Sequence, residues 1–313
     1  MKKLVIYTSF SFMLDSFDLA FREKFKDIHF HIITFRDHPE RVLQHIKREA
    51  QVNVPSADIV IGPHWMVLDL QLHGLLRPYE SSEFDAYPEG FYDPRGAWCG
   101  MALSPVGIAY NTSLLSPDAA PKTLDEAVDV RWSGKLAVHS ITQNSEGRMG
   151  LAYLVSLARI AGRRKYEKIV DGLVAVKPAT YECMPEMALA VGRGDKLIGF
   201  PATLACISYY IDIQNRPLAL SMPSDIPYLV TFSPTIGLVA GGENAETAEM
   251  AFDFALSKDW QERVGAFGGK IPARPGVDSY VRLPESFMLF PTLDDVASHQ
   301  NYLEELRKRI GRN

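Results

Sequence analysis

Four turns of the 313-residue chain place small hydroxyls, a histidine or a tryptophan where an apolar run gives way to a helical pattern. Thr8-Ser9-Phe10-Ser11 follows LVIY, and Gly62-Pro63-His64-Trp65 follows ADIVIG. Ser140 to Gly147 follows KLAVH, and Pro201-Ala202-Thr203 follows KLIGF. The longest turn, in HSITQNSEGRMG, carries Ser140, Thr142, Asn144, Ser145, Glu146 and Gly147. Two chemistries suit it. Asn and Ser accept hydrogen bonds from the open amides of a helix's first turn, where Glu146 is favoured by the positive end of the dipole. The same amides also attract an anion, and Gly147 would let it approach closely.

In open α/β sheets, ligands sit outside the carboxyl ends of the strands. Four such turns drawn from two domains favour a ligand over capping alone. The candidate binding residues are Ser9, Phe10, Ser11, His64, Trp65, Ser140, Asn144, Ser145, Glu146, Gly147 and Thr203. His64 is either a local cap or a hydrogen-bond partner of the ligand, and Trp65 either stacks on a ring or covers a cleft floor. Arg148 either pairs with a carboxylate or phosphate or is solvated. Adjacent tyrosinates are good ligands for a ferric ion, which makes Tyr209 and Tyr210 a weaker metal alternative. Inside the helical run ATLACISYYIDIQ, however, neighbours point about 100° apart, and core packing suits the pair better.

No metal cluster and no cofactor are expected. Cys99, Cys183 and Cys206 have no CxxC spacing, and GxSxG, HExxH, GxxxxGK[ST] and GxGxxG are all missing, so no enzyme is expected. An enzyme on this scaffold would need a titrating group near the strand ends, for which His64 and His139 are the candidates. The net charge of −5, with scattered Lys and Arg, excludes a phosphate-backbone footprint and hence nucleic acid as partner. No apolar run approaches the roughly 20 residues that span a bilayer. The opening MKKLVIYTSF has too short an apolar stretch for a secretory leader. Either a leader has been removed from the sequence or the protein stays in the cytoplasm.

The elements that must position these turns alternate. LVIY, HFHIITF and ADIVIG read as strands separated by helices over 12–25 and 39–51, followed by a helix over 65–76. That order implies βαβ units and a parallel sheet. A second α/β set follows MALSPVGIAYN (101–111), a strand interrupted by Pro105 that can cross between domains. YLVTFSPTIGLVAGG (228–242), with its central Pro234, is the candidate crossing back. Residues 1–103 with 235–313 would form lobe 1, and 104–234 lobe 2. Two lobes joined by two extended crossings can open and close about them.

Several segments then resemble one family in order along almost the whole chain. They are ADIVIGPHWMVLDLQLHGLLRPYES (57–81), PVGIAYNTSLL (105–115), TLDEAVDVRWSGKLAVHS (123–140), GDKLIGF (194–200) and GAFGGKIPARPGV (265–277). The text is similar to the extracytoplasmic solute-binding proteins of ABC importers, in the ferric-iron, thiamine and aminoethylphosphonate branch of the type 2 periplasmic binding proteins. That resemblance implies two mixed, mostly parallel α/β lobes trapping a ligand by hinge closure, delivery to a membrane permease, and a periplasmic or other extracytoplasmic location for a monomer. Ferric-binding members carry a tyrosine pair soon after the strand matching KLIGF, where this chain has Pro201, Ala202 and Thr203. The expectation is therefore a small anionic organic solute. Ferric iron or thiamine is the alternative within the fold, and a cytoplasmic ligand sensor or an enzyme the alternative outside the class.

Overall fold

In a computed structural model, the structure describes residues 2–10, 14–35, 38–139, 148–266 and 269–310. The chain divides into two compact units, Met1–Leu103 with Phe232–Val281, and Ser104–Thr231 with Arg282–Asn313.

Unit 1 opens with β1 (Lys2–Thr8), α1 (Leu14–Lys24), β2 (Ile28–Thr34), α2 (Pro39–Gln51), β3 (Ile59–Gly62), α3 (His64–Leu72) and β4 (Trp98–Gly100). α2 covers the stretch expected from its pattern, with Pro39 in its first turn and Val42, Leu43 and Ile46 buried on one face. β1 lies parallel to β2 on one side and to β3 on the other. Apolar runs such as Leu4 to Ile6 and Ile59 to Ile61 are buried throughout, as a strand covered on both faces requires.

The chain enters unit 2 within β5 (Ala102–Asn111), then forms α4 (Leu124–Ala127), β6 (Leu136–His139), α5 (Arg148–Ile160), α6 (Arg163–Val176), β7 (Ala179–Tyr181), α7 (Met184–Arg193), β8 (Ile198–Thr203), α8 (Leu204–Asp212), β9 (Leu218–Ser221) and β10 (Leu229–Phe232). Pro105 does not interrupt β5. It falls between Ala102 and Leu103, which pair with β12 (Ile271–Pro272), and Val106, where pairing with β8 begins. The sheet of this unit is mixed: β6 is parallel to β7 and β8, whereas β5 is antiparallel to β8 and β9.

The run around Pro234 becomes two strands rather than one. β10 ends at Phe232, and β11 (Thr235–Leu238) joins the sheet of unit 1, antiparallel to β3 and β4. That sheet has the order β2-β1-β3-β11-β4. α9 (Ala245–Leu256), α10 (Lys258–Gly265) and β12 complete unit 1. A third passage at Val281 and Arg282 returns the chain to unit 2 for β13 (Met288–Leu289), α11 (Leu293–Ala297) and α12 (His299–Ile310).

This third passage corrects the expected division, which assigned everything after 235 to lobe 1. The physical reason is Asp295, 3% exposed, which takes both prongs of Arg159 at 2.9 Å, the Ser156 hydroxyl at 2.8 Å and the Thr292 amide at 2.9 Å. Arg163 to Glu305, Arg309 to Asp171, and the edge-to-face pair Tyr166–Tyr302 add to the attachment. The charged C-terminal run LDDVASHQNYLEELRKRI, whose pattern suggests one continuous helix, is broken at Ser298 into α11 and α12.

Burial pushes the Asp295 carboxyl up, but Arg159, the Thr292 amide and Ser156 overcome this and hold it below the usual carboxylate range. A depressed folded-state pKa stabilises above the unfolded value near ~4, and that contribution is lost as pH falls through the lower folded value. Replacing Asp295→Ala is expected to cost about 2 kcal/mol at neutral pH, since hydrogen bonds to a charged group are lost. Amide exchange in residues 293–310 should accelerate and the acid-side slope of stability should flatten; exchange unchanged from wild type there would refute the attachment.

Candidate functional site

In unit 1 the parallel pairing of β1 with β3 brings two of the four turns together. Past β1, the Thr8 hydroxyl accepts the Phe10 amide at 3.0 Å, Ser9 is 2% exposed, and Phe10 is half-buried. Past β3, Gly62 lies so close that a Cβ there would stand 3.6 Å from Ser9 Oγ and 2.2 Å from Met66 Cε. Pro63 is the N-cap residue of α3 and supplies no side-chain hydrogen bond, so the chain turns into the helix with its first amides uncapped by that residue.

His64 and Trp65 begin α3, and both are buried. The His64 ring stands edge-to-face against Trp98 and Phe232, at centroid distances of 4.7 and 4.9 Å. Its Nδ1 lies 3.2 Å from the hydroxyl of Thr235, the residue of β11 paired with both Gly62 and Gly100. Burial drives the His64 pKa down to about 3, so the ring is neutral at physiological pH. As placed here, His64 and Trp65 pack the floor beneath the turn.

In unit 2, β6 runs parallel to β8 with Val138 opposite Phe200, so the carboxyl ends of these strands are neighbours. β6 ends at His139, whose Nδ1 accepts the Gly150 amide of α5 at 3.2 Å. Ser140, Asn144, Ser145, Glu146 and Gly147, like Ser11 in unit 1, lie outside the described residues. β8 extends to Thr203, which the sequence reading placed within a helix beginning at 202. The Thr203 hydroxyl caps α8 by accepting the Cys206 amide at 3.4 Å, and its Oγ1 and amide both donate to Met184 Sδ at 3.3 Å.

Tyr209 and Tyr210 stand on α8 with ring centroids 5.3 Å apart. Tyr210 is 6% exposed and belongs to the core with Ala109, Met187, Val191 and Ile207, while Tyr209 packs partly buried against it. Among the described residues no group of three or more His, Cys, Asp or Glu is placed to hold a metal ion.

Sequence reasoning missed two residues of unit 1. Thr235 lies in an apolar run whose break at Pro234 suggests a crossing rather than a site. Lys270 stood in a glycine-rich stretch, GGKIPARPGV, yet its side chain is 2% exposed and Nζ donates to the Ser233 carbonyl at 3.0 Å. The usable signal was a lone lysine set against Ile271 and Pro272 in an otherwise apolar strand start.

Two mixed α/β units, each with polar residues at the carboxyl ends of neighbouring parallel strands, have the layout of a solute-binding fold. The chain belongs to the bacterial extracellular solute-binding protein family, whose sequence profile matches residues 54–298. Among solved structures it is similar to iron-bound HitA from Pseudomonas aeruginosa, with 19% identity and a TM-score of 0.82 over 100% of both chains. It is also similar to a substrate-binding protein of an ABC transporter from Agrobacterium tumefaciens, with 14% identity and a TM-score of 0.85 over 99% of this chain and 94% of that one. AfuA from Actinobacillus pleuropneumoniae, with exogenous fructose-6-phosphate bound, gives 20% identity and a TM-score of 0.79 over 99% of each chain. At these identities the likeness is one of fold. Comparison with curated protein sequences gives no match.

The depressed pKa of His64 makes a testable statement. An unfolded histidine binds its proton near 6.5, whereas His64 takes one only near 3. Its contribution to stability is therefore complete above the unfolded value and is lost as pH falls from 6.5 towards 3, at roughly 1.4 kcal/mol per unit. Imidazole nitrogen NMR at about pH 5 should find His64 neutral in the folded protein, against the ordinary histidine range. A protonated ring in a folded chain at that pH would overturn the assignment.

Proposed function

We propose that the protein is the solute-binding component of an ABC importer, that it works outside the cytoplasm as a monomer, and that it hands a small anionic organic solute to a membrane permease. The observation that carries this reading is membership of the extracellular solute-binding family over residues 54–298. Similarity in fold to an ABC-transporter substrate-binding protein supports the importer assignment. In support of an anion, Ser9 stands past the end of β1 beside Gly62, Thr203 stands where β8 passes into α8, and the sequence puts Ser140, Asn144 and Ser145 ahead of α5.

Iron-bound HitA and fructose-6-phosphate-bound AfuA share the fold, so fold alone does not choose between a ferric ion and an organic anion. The packing of Tyr210 into the core of unit 2 favours the organic anion, because a tyrosinate ligand must face its metal. An enzyme with His64 as base is disfavoured by the burial between Trp98 and Phe232 that lowers its pKa to about 3, far below the pH at which a base must take up a proton.

Native mass spectrometry of the protein as purified should show a retained small organic molecule and no bound iron. Ser145→Tyr, which puts a ring in the segment ahead of α5, is expected to abolish binding of that molecule while leaving the melting temperature of the ligand-free protein unchanged. Full affinity in the variant would remove the turn from the site, and retained iron would favour the ferric reading.

A further inference from the structure

We propose that β2 carries a surface site for a divalent transition-metal ion of the copper, nickel or zinc kind, chelated by the imidazoles of His29 and His31. β2 is the outermost strand of its sheet: it pairs with β1 on one side, and among the described residues no strand pairs with the other. Residues two apart on a strand share a face, so His29 and His31 stand side by side with Ile33. The register sets these three opposite Lys3, Val5 and Tyr7 of β1. Over β1 that face is covered by α2, since the Tyr7 hydroxyl donates to Glu49 at 2.7 Å and its ring lies 5.4 Å from that of His45. Val5 and Tyr7 are accordingly buried, whereas both histidines of β2 are exposed. Among the described residues neither imidazole has a hydrogen-bonding, ionic or ring partner.

Neutral imidazole is the commonest protein ligand for such ions. Two residues span about 6.6 Å of strand, while nitrogens sharing one ion lie about 3 Å apart, so each ring has to lean about 2 Å towards the other. Exposed side chains have the rotamer freedom to do so. The remaining coordination positions go to water, because among the described residues no third His, Cys, Asp or Glu is placed with the pair. Such a nitrogen-only pair favours Cu²⁺ over Ni²⁺ and Zn²⁺ and gives the oxygen-seeking Mg²⁺ nothing. Lys3, opposite His29, is the charged neighbour on this face; its side chain is exposed, so its repulsion of the ion is screened. A polar edge also deters the addition of a foreign strand. That purpose asks for no particular side chain and leaves two unengaged rings at chelating separation unexplained. The pair stands near the amino ends of β1 and β2, whereas Ser9 lies beyond the carboxyl end of β1, about 20 Å along the strand from Lys3. Ion and solute therefore do not compete.

Titration calorimetry of the full chain, free of any histidine tag, with Cu²⁺, Ni²⁺, Zn²⁺ and Mg²⁺ tests this. Wild type should bind Cu²⁺ most tightly, Ni²⁺ and Zn²⁺ less tightly, and Mg²⁺ not at all. His29→Asn and His31→Asn each remove one arm of the chelate, and the Cu²⁺ affinity should fall roughly 10- to 100-fold in either. His73→Asn, which removes an exposed histidine just past α3, should leave that affinity unchanged. Because both rings of β2 are exposed, the metal-free variants should melt with wild type. Equal Cu²⁺ affinity in wild type and both β2 variants overturns the proposal, and so does Mg²⁺ binding as tight as that of Cu²⁺. Should either variant fail to fold, paramagnetic line broadening in wild type decides. Substoichiometric Cu²⁺ that broadens the His29 and His31 ring signals first supports the site, and broadening confined to other histidines overturns it. The solute-binding reading stands whichever way these results fall, since it uses neither ring.

Discussion

Strands buried on both faces have no water to satisfy their peptide groups, so their N–H and C=O groups must find one another. In unit 1 that requirement fixes β1 between β2 and β3, with Ile6, Tyr7 and Thr8 opposite Ile59, Val60 and Ile61. Parallel strands deliver their carboxyl ends to one edge, and here the register brings them level. Everything in this half of the candidate site follows from that alignment. Ser9 meets Gly62 because both come one residue past paired positions, and β11 runs back from the same edge, with Thr235 opposite Gly62. The absence of a Cβ at Gly62 keeps the Ser9 hydroxyl and the Met66 side chain as close as they are.

Two polar groups buried beside this sheet, Asp58 and Gln261, are held by several partners each, which is what their desolvation demands. Asp58, 1% exposed, accepts the amides of Val5 and Asn244, both at 2.8 Å, and the Asn244 side chain. One carboxylate thereby ties β1 to the start of α9. Gln261, fully buried, donates to the carbonyls of Met101 and Ala255 and accepts the Arg274 amide. It joins the head of β5 to the end of α9 and the segment after β12. These groups fix backbone positions at several elements at once, and a residue such as Lys270 can be carried at depth only in a frame so braced.

What the sequence disclosed was period and punctuation. The apolar face of α2, the strands around LVIY and ADIVIG, and the turns between them could be read because each depends on residues near in sequence. Partnership could not be read. The amphipathy of the C-terminal helices tells that one face is covered but not by what, and Asp295 finds Arg159 across more than a hundred residues of chain. β7 is illegible because its three residues, Ala179 to Tyr181, none of them buried, are too few to show a period. Among candidate site residues, position at a strand end was legible, but the direction of the side chain was not. His64 and Trp65 stand where the turn was expected and are buried, and Lys270, set in a glycine-rich stretch, is buried as well.

Capping and ligand binding, the two chemistries open to a hydroxyl at a strand end, need not exclude each other at Thr203. A hydroxyl has one proton and two lone pairs. The Cys206 amide occupies one lone pair, and the proton is directed to Met184 Sδ, a weak acceptor. An anionic oxygen accepts far more strongly than a thioether, so turning the proton from sulfur to a ligand costs little while the cap on α8 stays made. The same accounting does not extend to His139. Its Nδ1 lone pair is engaged by the Gly150 amide, and a neutral ring then carries its proton on Nε2. The one acceptor position of that ring is thus spent on the start of α5, whereas the second lone pair of the Thr203 hydroxyl is not spent on α8.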